Sequence, residues 1–413
     1  MTEYTGFQYL LIDACNNWGG DKWLFSERIN WATEHLDHLE SLADEAETKP
    51  LYIKAVMAIR KAQQGIPTGH LVGLDACCSG ISIMSTVTGC VAGATATGLV
   101  DPDVRADAYT LTTATMNDIL GGGLAVSRKD AKAALMTSCY GSKAKPKEIF
   151  GEDTLELDAF YKAVAIVAPG AWELLQELLA SWQPYALTHA WKLPDGFCAR
   201  VKVMSKVEAR IEIDELDHCT MSYEYYENIG TKTGLSNAAN VVHSLDSYIL
   251  RCMHRRCNYD MATVLVAYEA LLQEMDLRNQ GFTDQVERMT NKVGYYVEQY
   301  ERSDMADIVI LPYLHDGMDT QYLSTTHINK LLTIIEYMVS YQPFELVCIH
   351  DDIKSHPNIC NYVRQQYINI MAELAESNVL SDIISQIHGV AGTYPKLSNN
   401  LGGLIRGSNY ALS

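Results

Sequence analysis

Ser127-Arg128-Lys129-Asp130, ending ten residues later in Tyr140-Gly141-Ser142, is the most informative run in the chain. Ser127 has the chemistry of a helix N-cap, and Asp130 stands where a capping box places an acid. The spacing predicts a helix over 128–140 that stops at Gly141, the residue type best suited to the left-handed position after a helix end. Arg128, Lys132, Met136 and Tyr140 recur every four residues and share one face. Two cations beside the unpaired N–H groups of a first turn form a site for a polyanion such as a triphosphate. Residues 121–150, which open with Gly121–Gly123, hold six Lys/Arg against two Asp/Glu. On spacing alone, a surface helix with solvated lysines is the simpler reading of those charges.

Working outward, residues 70–74 form a short apolar run that predicts a buried strand delivering Asp75 at its end. Residues 76–100 carry no charge, but Gly, Ser, Thr and Cys make them a buried core segment rather than a membrane span. Residues 102–119, 259–278, 283–301 and 327–340 read as helices. Residues 30–48, with six acids and Leu36, Leu39 and Leu42 in a stripe, read as an amphipathic helix. Residues 307–311 and 344–349 read as strands, the second delivering His350-Asp351-Asp352. The fold class is α+β, mainly helical, around a small sheet.

Two aspartates at strand ends, Asp75 and Asp351, are the usual protein share of a Mg²⁺ site. Strand alternation predicts that Asp351 faces that site while His350 and Asp352 point away. In a chain with 51 acids a pair of aspartates is weak by itself. The pair His350-Asp351 also suits a metal phosphohydrolase, which would need it on a helix. Cys252, His254 and Cys257 match no zinc spacing.

The chain has 413 residues and a formal net charge of −19, with 32 bases against 51 acids. That excludes a general nucleic-acid coat or a polybasic membrane binder, though not a groove with its own local field. Eleven cysteines cannot all pair internally, which predicts a reduced, cytoplasmic protein with buried thiols and no membrane partner.

Taken together, these segments resemble the single-subunit RNA polymerases of bacteriophages and mitochondria. Asp75-Ala-Cys-Cys-Ser79-Gly80-Ile81 is similar to the family's palm motif. Arg128-x3-Lys132-x3-Met136-Thr137-x2-Tyr140-Gly141-Ser142 is similar to its fingers helix. Cys348-Ile349-His350-Asp351 resembles its second palm aspartate, and Asn240-Val-Val-His243-Ser244-x-Asp246 the motif before that strand. Weaker similarity covers residues 9–29, with Asp21-Lys22, and the C-terminal run to Ser413.

The resemblance implies a palm at 1–91 and 244–413, interrupted by an insertion at about 251–325, with fingers at 92–243. It implies DNA-directed synthesis of RNA from NTPs, with two Mg²⁺ held by Asp75, Asp351 and the Ala76 carbonyl. Arg128, Lys132 and Lys22 would bind triphosphate, and Lys132 could protonate pyrophosphate. Tyr140, beside Gly141, would read the ribose, and His243 the new base pair. A packed tyrosine and a satisfied core histidine are the plain alternatives for those two. The C terminus is expected near the palm, so that loss of 410–413 harms chemistry more than stability. The chain contains no Gly-Arg pair, which predicts a second polymerase subunit carrying the N-terminal domain and a palm arginine, and the host cytoplasm as location if the source is viral. A non-enzymatic nucleic-acid-binding relic of the fold is the competing class.

Overall fold

The computed structural model describes residues 1–122, 124–231, 234, 236–281 and 291–413. It is mainly helical, with three small antiparallel sheets. The sheet that matters has the order β1-β7-β6, built from β1 (Val72–Asp75), β6 (Val347–Ile349) and β7 (Asp352–Ser355). Two hairpins complete the strands: β2 (Thr188–Lys192) with β3 (Cys198–Lys202), and β4 (Met204–Ile213) with β5 (Cys219–Gly230).

β1 forms where the apolar run predicts it. Val72 and Leu74 are buried, and the strand ends on Asp75. Cys78, at φ +50°, turns the chain sharply into the helix Ser79–Thr88. Ser79 itself is only half-buried, but every residue from Gly80 to Thr88 is buried, as the charge-free composition demands. No single helix among the described residues is long and apolar enough to cross a membrane; the helices Leu155–Val167 and Pro169–Ala180 would do so only as a pair, and they meet at 111°.

Ser127 caps the helix Arg128–Ser138, accepting from the Asp130 N–H and donating to its carboxylate at 2.7 Å. Gly141 follows at φ +89°. Gly123 of the triple glycine lies outside the described residues, as do the first residues of the helix expected at 283–301, whose described part is Lys292–Ser303.

Three expectations need correction. The helix after residue 101 begins later, at Ala108–Leu120, because Asp107 is the cap that accepts from the Tyr109 N–H. The acidic helix is two pieces, Phe25–Glu34 and a 3-10 turn Leu36–Leu42 kinked at His38; only Leu39 of its stripe is fully buried. Residues 307–311 are not a strand. They lie in a 3-10 helix, Ile308–Tyr313, whose cap Asp307 accepts from the Val309 N–H.

Two apolar clusters divide the interior. The larger holds the sheet, the helix Ser79–Thr88 and the helices Ser236–Cys257 and Cys360–Glu376. The smaller runs from Val264 to Met338, joining the segment expected as an insertion to the helix Thr325–Val339 that follows it. Buried Arg364 ties both chain ends to the larger cluster. It donates to the Thr2 carbonyl at 3.0 Å, the Tyr9 hydroxyl at 2.9 Å and the Asn409 carbonyl at 2.6 Å.

Candidate active site

Asp75 pairs directly with Asp352 across β1 and β7. Directly opposed residues share a face of a sheet. Asp352 therefore faces the same cleft as Asp75, contrary to the alternation argument. Alternation breaks here because His350 and Asp351 form a turn, with His350 at φ +55°, rather than continuing β6. The Asp352 carboxylate lies 3.2 Å from the Lys354 ammonium, two residues on along the same face. Because His350-Asp351 sits in a strand-to-strand turn, the helix required by the phosphohydrolase reading is absent there.

Asp351 reaches the same end of the sheet. Its carbonyl accepts from the Ala76 N–H at 3.4 Å. The Asp75 carboxyl is pushed up to about 6, first by desolvation in its cleft, then by the charges of Asp351 and Asp352, with Lys22 and Arg105 opposing. Part of the side chain stays open to water, so the cleft walls rather than full burial supply that desolvation. Asp246, three residues after His243 on the helix Ser236–Cys257, is also raised, by burial and then by Asp351. Tyr367 lies buried beneath these acids and is raised by burial and by Asp246, Asp351 and Asp75.

The second edge of β1 is closed by the chain terminus. The Ser413 N–H donates to the Asp75 carbonyl at 3.0 Å, and the Asp75 N–H to Ser413 at 3.3 Å. Ser413 thus stands beside Asp75. Tyr410, Ala411 and Leu412 are however core residues, with Tyr410 stacked on Phe25 at 5.0 Å, so loss of 410–413 must also cost stability.

A cleft of about 280 Å³ opens from Asp75 and Asp352 toward Lys22, Lys54, Arg105 and Ser413. A wider one, about 1060 Å³, runs from Lys22 and Arg105 to Asp107 and Arg128. Lys22 and Arg105 line both. Buried Arg28 fixes the turn that carries Lys22, donating to the Trp23 and Asp21 carbonyls at 3.0 and 2.9 Å. Lys22 pairs with Asp21 at 2.7 Å.

The cationic stripe is less free than its spacing suggests. Arg128 binds the Asp107 carboxylate through Nε at 2.9 Å and Nη2 at 2.5 Å, and the Thr110 hydroxyl at 3.0 Å. The Lys132 ammonium lies 5.4 Å from the centre of the Tyr109 ring and Arg128 5.8 Å from it. At the far end of the helix, Tyr140 stacks on His243, and its hydroxyl bonds to Ser79, the residue that opens the helix after Asp75. A Cβ on Gly80 would stand 3.1 Å from the Cys139 Sγ and 3.3 Å from that hydroxyl, a fit that a larger residue would crowd.

The structure therefore joins Asp75, Ala76 and Asp351 at one sheet end, and Tyr140 to His243 by stacking and to Ser79 by its hydroxyl, with Gly141 next along the chain. Arg128 and Lys132 group around Tyr109. Sequence reasoning gave no role to Arg105, Asp107, Asp246 or Tyr367. Asp246 had a signal, its i+3 relation to His243; Arg105 had none beyond a charge between apolar helices.

The acids at the sheet end offer hard oxygen donors in an open cleft without a closed protein cage, which suits Mg²⁺ better than zinc. The tightest group with metal-holding geometry among the described residues is elsewhere: Glu212, Asp214 and His218, exposed at the β4–β5 turn.

Residues 2–156 match the model of the family described as DNA-dependent RNA polymerase. Over those residues the chain is similar to that family. A protein of Pseudomonas phage phiKMV, named DNA-directed RNA polymerase, is 24% identical over 304 residues. The alignment takes in 59% of this chain and 37% of the phage protein, so the chain spans well under two thirds of that relative. The family match contains Asp75 and the stripe from Arg128 to Tyr140, and stops short of His243 and Asp351.

Proposed function

We propose that this chain carries the catalytic centre of a DNA-directed RNA polymerase, joining NTPs to an RNA 3′-hydroxyl on a DNA template. The observation that carries the reading is the meeting of Asp75 with Asp351 at one sheet end, beside a fingers-like helix anchored to the same motif through Tyr140 and Ser79. Residues 1–91 and 244–413 serve as palm and 92–243 as fingers.

Asp75 and Asp351, with the Ala76 carbonyl, would hold two Mg²⁺. Such ions acidify the attacking hydroxyl and neutralise the leaving pyrophosphate. Asp75, pushed up to about 6 by desolvation in its cleft and then by Asp351 and Asp352, would gain its full charge beside a bound cation. Lys22 stands between the two clefts, placed to meet phosphate. Lys132 contributes charge, and a proton to the leaving group, from the fingers helix. Arg128 is presented by Asp107, which fixes its guanidinium. Tyr140 holds the ribose end of the pocket and His243 supports it from beneath the ring. DNA, RNA and NTPs are the partners of this reading, and a second polymerase subunit supplying a palm arginine is part of it.

The test is extension of a labelled RNA primer on a DNA template by the purified chain, alone and with any co-purifying subunit. Mg²⁺-dependent extension that disappears in Asp75→Asn is the expected result. Binding of template without extension under every condition would favour the relic of the fold.

A further inference from the structure

Lys22 and Arg105 are the cations that line both clefts, and Arg128 joins them in the wider one. Lys22 and Arg128 are held by carboxylates, the first by Asp21 at 2.7 Å and the second by Asp107. Arg105 has no carboxylate partner among the described residues. Its Nη1 donates to the Ala106 carbonyl at 2.8 Å, while its Nε is buried without a hydrogen bond to them. Nε and Nη2 make the edge with which Arg128 grips Asp107 and Arg60 grips Glu40. That edge fits carboxylate and phosphate oxygens. A buried guanidinium N–H without an acceptor is costly, so turning the Arg105 side chain onto an anionic oxygen in the cleft is favourable.

Position narrows the choice of anion. The Asp75 carboxyl is pushed up by desolvation and then by Asp351 and Asp352, and Lys22 and Arg105 draw it back, so both cations act where the proposed metal ions would sit. Tyr140 and His243, which hold the nucleoside end in the proposed function, line neither cleft. The clefts are left to the phosphate end. The narrow one, about 280 Å³, suits a phosphate tail rather than a whole nucleotide, and it meets the wider one at Lys22 and Arg105. A nucleic-acid strand spreads single charges along its length, whereas a terminal diphosphate gathers its charge at one point, as a single guanidinium between two clefts requires. We infer, on the polymerase reading proposed above, that Arg105 grips the terminal diphosphate of the incoming nucleotide and passes it, as pyrophosphate, from the Asp75 cleft into the wider one.

The probe is pyrophosphate with Mg²⁺, titrated by calorimetry into the full chain with any co-purifying subunit. Arg105→Gln should weaken binding at least ~tenfold, and Arg105→Lys by less, since an ammonium keeps the charge and loses the fork. Lys162→Gln removes an exposed cation elsewhere and should leave the affinity within about twofold. In primer extension by Arg105→Gln, the KM for NTP and the inhibition constant for pyrophosphate should rise together. Three results would overturn the proposal: no pyrophosphate binding by the wild type, equal affinity in Arg105→Gln with only the melting temperature lowered, or a larger loss of single-stranded DNA binding than of pyrophosphate binding in that variant. Arg105-dependent pyrophosphate binding in a protein that extends no primer would leave this site standing and remove the polymerase reading alone.

Discussion

The rings of Tyr140 and His243 lie parallel, their planes 2° apart and their centroids 4.6 Å apart. One closes the helix Arg128–Ser138 and the other sits in the helix Ser236–Cys257. The stack joins two motifs separated by a hundred residues of chain, and the Tyr140 hydroxyl carries the link on to Ser79. Tyr140→Phe keeps the stack and loses that hydrogen bond, worth ~1 kcal/mol. The variant should keep extending RNA while deoxynucleotides compete better. Competition between ribo- and deoxynucleotides checks this, and an unchanged ratio would reduce Tyr140 to a packing residue.

Asp75→Asn and Asp351→Asn should each lower nucleotide addition by several orders of magnitude, since each removes a charge on which the proposed metal site depends. Asp352→Asn should be far milder, within about tenfold, because Lys354 already offsets that carboxylate, a pairing worth roughly 1 kcal/mol. Rates of single-nucleotide addition rank the three. Equal losses at Asp351 and Asp352 would show that both acids serve the chemistry.

Asp107 has two tasks, capping the helix Ala108–Leu120 and holding Arg128. Asp107→Ala should cost about 1–2 kcal/mol of stability from the cap. It should also raise the KM for NTP, because Arg128 is no longer aimed. Arg128→Lys should not preserve the wild-type KM, as an ammonium cannot reproduce the forked contact. Denaturation and steady-state kinetics separate the two effects.

Deleting residues 410–413 removes Tyr410 and Leu412 from the core, and loss of one such aromatic costs roughly 3–5 kcal/mol. That truncation should melt markedly lower. Deleting Ser413 alone removes only the backbone pair with Asp75, so nucleotide addition should fall with little change in melting temperature. A fully active Ser413 deletion would make the terminus structural only.

His327 is buried, stacked on Tyr300 at 3.8 Å, and its imidazole pKa is lowered to about 3 by burial and by Lys330. Its folded-state value lies below the unfolded one, so its contribution is complete above pH 6.5. It is then lost as pH falls toward 3, by roughly 1.4 kcal/mol per pH unit. His327→Phe should flatten the fall in stability between pH 6.5 and 5. Denaturant midpoints for both proteins across that range test it.

The legible parts of the sequence were those written locally. Ser127 and Asp130 cap a helix wherever they meet an apolar period, and Val72 with Leu74 make a strand that any core will accept. What could not be read depended on neighbours far along the chain. The facing of Asp352 follows from a left-handed residue at His350, which no local pattern marks. Residues 307–311 have the composition of a strand, but Asp307 caps the following N–H and holds them in a 3-10 turn instead. Arg128 opens the helix that its spacing predicts but is less free than that spacing suggests, because its partner Asp107 lies twenty-one residues upstream in a loop expected to be helix. Arg105 enters the cleft only because the loop before the helix Ala108–Leu120 folds back beside Lys22.

In the proposed function, Asp75 and Asp351 together form a divalent-cation centre. Fe²⁺ in place of Mg²⁺ generates hydroxyl radicals where it binds, and the resulting chain cuts map the site in the purified protein. Cuts beside residues 75 and 351, displaced by excess Mg²⁺ and lost in Asp75→Asn, are the predicted result. Cuts confined to the β4–β5 turn, at Glu212 to His218, or cuts unaffected by Asp75→Asn, would contradict it.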